Sequence, residues 1–205
     1  MGLWEKHVLP RMVDKMCGTK DMLPWRERAF AGLSGTVLEI GFGSGLNLAA
    51  YPPEVTRVLA VEPSELGRRL AADRIAKSGI DVDVVGLQGE NIPLDDAVAD
   101  GAASAFTLCT IPGVEQALAE VRRVLKPGAP FHLVEHGLAP QPNVQKWQHR
   151  IDPIEKKVAG GCHLTRDPVA LLRAAGFTVE REEHDWMKAP KPWGYLTIAT
   201  ARAAS

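Results

Sequence analysis

The stretch Val37-Leu38-Glu39-Ile40-Gly41-Phe42-Gly43-Ser44-Gly45-Leu46-Asn47 constrains the chain more than any other. An apolar strand, Thr36 to Ile40, runs straight into three glycines at alternate positions, and the turn is expected to open a helix. Glycine carries no Cβ, so such a turn bends tightly and lets a ligand lie against bare backbone. A ligand held there sits at the carboxyl end of a strand, where open α/β sheets place their binding crevice.

The spacing departs from the dinucleotide fingerprint Gly-x-Gly-x-x-Gly, whose third glycine eases helix–strand packing beside a pyrophosphate. Leu46 stands at that third place. Glu39, two residues before Gly41, adds a carboxylate that would repel a diphosphate and suits a cationic ligand. S-adenosylmethionine, with a sulfonium and an ammonium and no phosphate, fits these charges. Glu62 ends the next apolar run, Val58 to Glu62, about twenty residues on, where an acid accepts ribose hydroxyls. A nicotinamide-dependent oxidoreductase remains the rival enzyme class. A module that holds S-adenosylmethionine without transferring its methyl is the non-enzymatic rival.

With these features the chain resembles the class I S-adenosylmethionine-dependent methyltransferases, from about residue 35 to 201. The resemblance implies that Glu39 lies near the methionine amino end, directly or through water. It puts Gly41 and Gly43 against methionine and ribose, and Glu62 on the ribose. Gln88-Gly89-Glu90-Asn91-Ile92-Pro93 resembles the adenine loop after the third strand, with Gln88 where many members carry an acid. Phe106-Thr107-Leu108-Cys109 matches the fourth-strand end, whose backbone underlies the cofactor, so Thr107 and Leu108 join the set. Phe42, Asn47, Pro63, Gly89 and Glu90 complete the expected cofactor residues. Glu135-His136, the block 160–166 (Gly-Gly-Cys-His-Leu-Thr-Arg) and Gly194-Tyr195 resemble the branch containing the mammalian alkyl thiol methyltransferases. The implied reaction is in-line methyl transfer to a small or lipophilic nucleophile, thiol favoured, leaving S-adenosylhomocysteine. Phenol and phospholipid-amine acceptors stay open.

Strand and helix patterns alternate along the chain, predicting an α/β fold: a doubly wound, mostly parallel seven-stranded sheet with a carboxy-terminal antiparallel hairpin near 177–184 and 194–201. One domain of 205 residues is expected. Residues 1–34 form a helical arm, with one helix over 3–17 whose apolar face either packs on the domain or folds over the site mouth, bringing Trp4 or Met22 to a ligand. Residues 137–165 form an acceptor-side insertion. In it Val144, Trp147, Ile151, Ile154 and Val158 make an apolar stripe, which either covers the sheet edge or acts as a lid. Pro153 is expected to break this helix, with Asp152 capping a second one. Lys146, His149, Arg150, Lys156 and Lys157 lie on its other side, a solvated face or a peripheral contact for an anionic membrane surface.

Glu135 and His136 are the candidate catalytic residues, facing the transferred methyl with the imidazole as base; the alternative is that they only organise loops. Cys109 reads as a small buried residue. Cys162-His163 with His132 or His136 shows no paired ligand spacing, so no metal is expected. A net charge of −1 gives no footprint for nucleic acid. Three scattered cysteines without a CxxC pair suit reduced thiols in a cytoplasm. No run of about eighteen apolar residues occurs, so no transmembrane segment is expected.

Overall fold

The computed structural model describes residues 2–203. Seven strands form one sheet: β1 (Gly35–Ile40), β2 (Val55–Val61), β3 (Asp81–Gly86), β4 (Gly101–Ala105), β5 (Pro130–His136), β6 (Phe177–Trp186) and β7 (Tyr195–Ala203). Their order is β3-β2-β1-β4-β5-β7-β6. The first five pair in parallel, and β7 inserts antiparallel between β5 and β6. Chain order reverses at β1, which lies between β2 and β4, so the crevice expected of such sheets opens beyond the carboxyl end of β1.

Side chains alternate across the sheet with period two. Leu38 and Ile40 face the layer that holds α5 (Val114–Val124) and α7 (Pro168–Ala174), with Leu118, Val121 and Leu172 fully buried. Val37 faces the opposite layer, where Phe30 and Leu33 of the arm and Ala71 of α4 (Glu65–Ser78) cover the sheet. Local signals set α4: the Ser64 hydroxyl caps it by accepting from the Gly67 N–H at 3.0 Å, and Gly79 ends it at φ +72°.

Several sequence expectations are corrected. The glycine turn opens only a short 3₁₀ turn, Leu46–Ala49, because Pro52 and Pro53 follow and no α-helix can propagate through them. The single helix expected over 3–17 is two, α1 (Leu3–His7) and α2 (Leu9–Cys17), with Pro10 in the first turn of α2, and α3 (Leu23–Phe30) completes the arm. β4 stops at Ala105 rather than Cys109, because Phe106 adopts φ +55° and turns the chain.

The segment 142–158 is one helix, α6 (Pro142–Val158), which carries Pro153 inside it. Its buried face is Val144, Gln148 and Asp152, whereas Trp147 and Ile154 are 56% and 63% exposed. The inward face is polar because it satisfies loop backbone. Gln148 accepts from the Ala139 N–H and donates to the Gly137 and Pro192 carbonyls; Asp152 accepts from the Leu164 N–H at 2.8 Å and pairs with Lys156. Asp152 therefore caps no second helix. A one-turn helix, α8 (Lys191–Gly194), packs against α6 before β7 begins. Among the described residues no helix is long and apolar enough to cross a membrane.

Candidate functional site

A cavity of about 510 Å³ opens at the carboxyl ends of β1, β2 and β4. The glycine loop forms its floor. Gly41 lies at φ +73°, and a Cβ there would collide with the Thr107 side chain at 2.1–2.7 Å, so the loop and the turn after β4 can approach only with glycine. At Gly43, φ +58°, a Cβ would meet little beyond the Gly41 carbonyl at 3.8 Å, which leaves an open backbone face toward the cavity.

Glu62 fastens this loop. Its carboxylate accepts from the Gly43 N–H at 2.7 Å and from the Ser64 N–H at 2.6 Å, tying the glycine turn to the start of α4. Burial pushes the Glu62 carboxyl above its ordinary value, and the two N–H donors partly offset that. Gly41, Phe42, Gly43, Asn47, Glu62, Pro63, Gln88, Gly89, Glu90 and Thr107 all line the cavity.

Glu39 does not line it. Strand alternation turns its side chain beneath the loop, where it is fully buried and accepts from Asn47 Nδ2 at 2.8 Å and the Tyr51 hydroxyl at 2.5 Å. Burial raises its carboxyl to about 7 against these two hydrogen bonds. Asn47 relays Glu39 to the cavity wall, because its Oδ1 accepts from Arg26 Nε at 2.8 Å. Arg26, from α3, also donates to the Cys17 carbonyl, lies 5.4 Å from the Phe106 ring centroid and lines the cavity. Arg26 carries no signal in the sequence, because α3 precedes the glycine motif and only the fold brings it back to the cavity.

The arm contributes a wall. Leu9, Pro10, Val13, Asp14 and Cys17 of α2 line the cavity, and Asp14 pairs with Arg74 and accepts from the Ser44 hydroxyl at 2.6 Å. Neither Trp4 nor Met22, the alternative ligand contacts of the arm, lines the cavity, and the Trp4 indole N–H donates to the Val158 carbonyl. Thr110, Ile111, Pro112, Ala159 and Gly160 close the far end.

Glu135, His136 and Leu108 lie behind that wall rather than on it. Glu135 is fully buried and accepts from the Ser104 hydroxyl and the Thr107 and Leu108 N–H groups, so it fixes the turn that Phe106 begins. Burial raises its carboxyl against these donors. His136 Nε2 lies 3.2 Å from Cys162 Sγ, and Cys109 completes a cluster whose ligand atoms fall within 4.8 Å of one another. No spacing along the chain signals this cluster, because its members come from the turn after β4, the end of β5 and the loop after α6. His132 stands apart, its Nδ1 on the Ala29 carbonyl at 2.6 Å.

Comparison with known proteins agrees with this architecture. A profile described as a methyltransferase domain matches residues 38–133. Thiol S-methyltransferase TMT1A of Homo sapiens is 32% identical over 187 residues, 88% of this chain and 75% of that one. The solved structure of BH2331 from Bacillus halodurans C-125 superimposes with a TM-score of 0.73 at 18% identity, covering 89% of this chain and 99% of that one. Geranyl diphosphate methyltransferase in complex with S-adenosylmethionine superimposes at 0.66 and 12% identity, covering 89% and 84%. From the glycine loop, the Glu62 clasp and these likenesses together, the chain is a class I S-adenosylmethionine-dependent methyltransferase and belongs to the family of the thiol S-methyltransferases.

Proposed function

We propose that this enzyme methylates the sulfur of a small, apolar thiol. S-adenosylmethionine supplies a methyl already activated by the sulfonium, so the protein's task is to align acceptor and methyl and exclude water. The residues lining the cavity fit that molecule. Glu62 offers its remaining acceptor capacity to ribose hydroxyls, and the open Gly43 backbone lets the nucleoside lie close. Gln88, Gly89 and Glu90 lie where the adenine is expected, with Glu90 held by the Gly113 N–H at 3.1 Å. Arg26 is placed for the methionine carboxylate, and Asn47, backed by Glu39, for its ammonium.

The observation that carries the acceptor assignment is the far end of the cavity. Leu9, Pro10, Val13, Ile111, Pro112, Ala159 and Gly160 give it an apolar lining, and the carboxylates that also line the cavity are engaged by other groups: Glu5 accepts from the Gly2 N–H, Asp14 pairs with Arg74, Glu62 holds the Gly43 N–H and Glu90 the Gly113 N–H. A thiol needs less help than a hydroxyl, because thiols are the stronger acids: one like the cysteine side chain, with a pKa of about 8.5, is already a few per cent ionised at neutral pH. Glu135 then serves to shape the loop under the cofactor, and α2 together with the 159–160 turn acts as the lid over the acceptor. The test is release of S-adenosylhomocysteine across a panel of alkyl thiols, phenols and amines. Turnover confined to thiols is expected; turnover only with phenols or amines would overturn the acceptor, and tight cofactor binding without turnover would favour a non-catalytic module.

A further inference from the structure

The Cys109, His136 and Cys162 cluster borders the acceptor end of the cavity. Thr110 and Ile111, which follow Cys109, and Ala159 and Gly160, which precede Cys162, are wall residues. Both cysteines are buried and neither is in a disulfide. Their backbones are fixed independently of their side chains. The His163 N–H donates to the Cys109 carbonyl at 2.9 Å, the Cys162 N–H donates to the Ala159 carbonyl, and consecutive glycines at φ +62° and +87° make the turn into Cys162. Arg166 braces the other side of Cys109 by donating to the Leu108 and Ile111 carbonyls.

Such a cluster needs a reason. The Cys162 sulfur lies 3.2 Å from His136 Nε2, and the ligand atoms of all three residues fall within 4.8 Å of one another. His136 Nδ1 is the one buried side-chain nitrogen or oxygen without a hydrogen-bond partner among the described residues. The other ring nitrogen, Nε2, is the one that faces Cys162, and it is the candidate ligand atom of this side chain. A tetrahedral zinc site, with Zn–S near 2.3 Å and Zn–N near 2.0 Å, sets its ligand atoms about 3.5–3.8 Å apart. The 3.2 Å sulfur–nitrogen separation and the 4.8 Å envelope reach that geometry with side-chain shifts alone. Two thiolates balance a divalent charge, and two sulfurs with one imidazole are ligands such a borderline-soft ion accepts.

We propose that Cys109, His136 and Cys162 bind a divalent cation of the zinc type, whose free fourth position takes the acceptor thiol. Three protein ligands and one open position characterise catalytic rather than structural zinc. On ligation the acceptor's S–H bond is replaced by a metal–sulfur bond and the proton leaves to solvent; the thiolate keeps a lone pair for the methyl carbon. The cation site stands on the cluster alone, whereas its acceptor role rests on the thiol methyltransferase reading.

Cobalt(II) is the probe, added anaerobically to the reduced, chelator-treated full chain. The expected result is a sulfur-to-cobalt charge-transfer band with tetrahedral d–d bands, saturating at about one cobalt per chain and reversed by zinc. Cys109→Ser and Cys162→Ser should each weaken binding by more than about tenfold, and Cys17→Ser should leave the stoichiometry unchanged. Absence of the bands in the unmutated chain, or their survival in both ligand variants, overturns the site whether or not those variants fold well. An alkyl thiol added without S-adenosylmethionine should then shift the d–d bands. An unshifted spectrum overturns the acceptor role, and it does so independently of S-adenosylhomocysteine release, which tests methyl transfer itself.

Discussion

Replacing Glu62 with glutamine changes one oxygen for an amide and leaves the side-chain volume nearly unaltered. In the native chain both carboxylate oxygens are committed, to the Gly43 N–H at 2.7 Å and the Ser64 N–H at 2.6 Å. A glutamine oxygen can keep one of these donors, but its NH₂ then faces the other donor and cannot accept. Hydrogen bonds to a charged group contribute about 1.5–3 kcal/mol each, so one lost bond should lower stability by that order, less what the glycine loop recovers by relaxing. For a chain of this size that is a fall of about 2–4 °C in Tm per kcal/mol. The cofactor loses a charged acceptor at the ribose as well, which predicts an affinity for S-adenosylhomocysteine about 10–100-fold weaker. Calorimetric titration with S-adenosylhomocysteine, beside thermal unfolding of the same preparations, reads both quantities. A folded Glu62→Gln enzyme with the native Tm and an affinity within about threefold of native would refute the clasp and remove Glu62 from the cofactor site.

Three further substitutions probe the cavity lining and the buried acid beneath its loop. Gly41→Ala should abolish measurable cofactor binding, because the new methyl would fall 2.1–2.2 Å from Thr107 side-chain atoms at φ +73°; native binding by fluorescence titration would show that the turn after β4 yields freely. Arg26→Gln should weaken S-adenosylhomocysteine by about tenfold or more yet leave adenosine unaffected, since only the former carries a carboxylate; equal losses on both would make Arg26 a packing residue. Glu39 has its carboxyl raised from an ordinary 4.5 to about 7, so between those values the folded chain holds a proton that the unfolded chain has released. Its contribution is therefore full below about pH 4.5 and falls by about 3 kcal/mol as pH rises to about 7. Denaturant unfolding across this window should show that slope flattened in Glu39→Gln, and an identical slope in both proteins would contradict the burial-driven shift.

Much of the fold was legible because its signals are local. The apolar run before Gly41, the cap at Ser64 and the stop at Gly79 each act within a few residues, and the parallel core follows from their repetition. Glu62 was legible for the same reason, as an acid at a fixed interval beyond a glycine turn. Glu39 was legible as an acid but not in its direction, because period-two alternation decides which face it takes and the covering Asn47 and Tyr51 come from the following turn. On α6 the apolar spacing pointed inward, yet of that stripe only Val144 is buried, while Trp147, Ile154 and Val158 are exposed. The competing demand, satisfying the backbone of the loops at 137–139 and 164 through Gln148 and Asp152, is set by tertiary neighbours that a helical period does not register. Arg26 and the Cys109, His136 and Cys162 cluster are products of long-range convergence, and no spacing within one segment could have announced them.

The most direct measurement is mass spectrometry of a reaction containing the enzyme, S-adenosylmethionine with a deuterated methyl group and an equimolar mixture of one alkyl thiol, one phenol and one amine. The expected result is a deuterated methyl thioether formed in equal amount to S-adenosylhomocysteine, with the phenol and amine unlabelled. Label on oxygen or nitrogen with none on sulfur, or no product from a folded enzyme that binds the cofactor, would contradict the assignment of this cavity to thiol methylation.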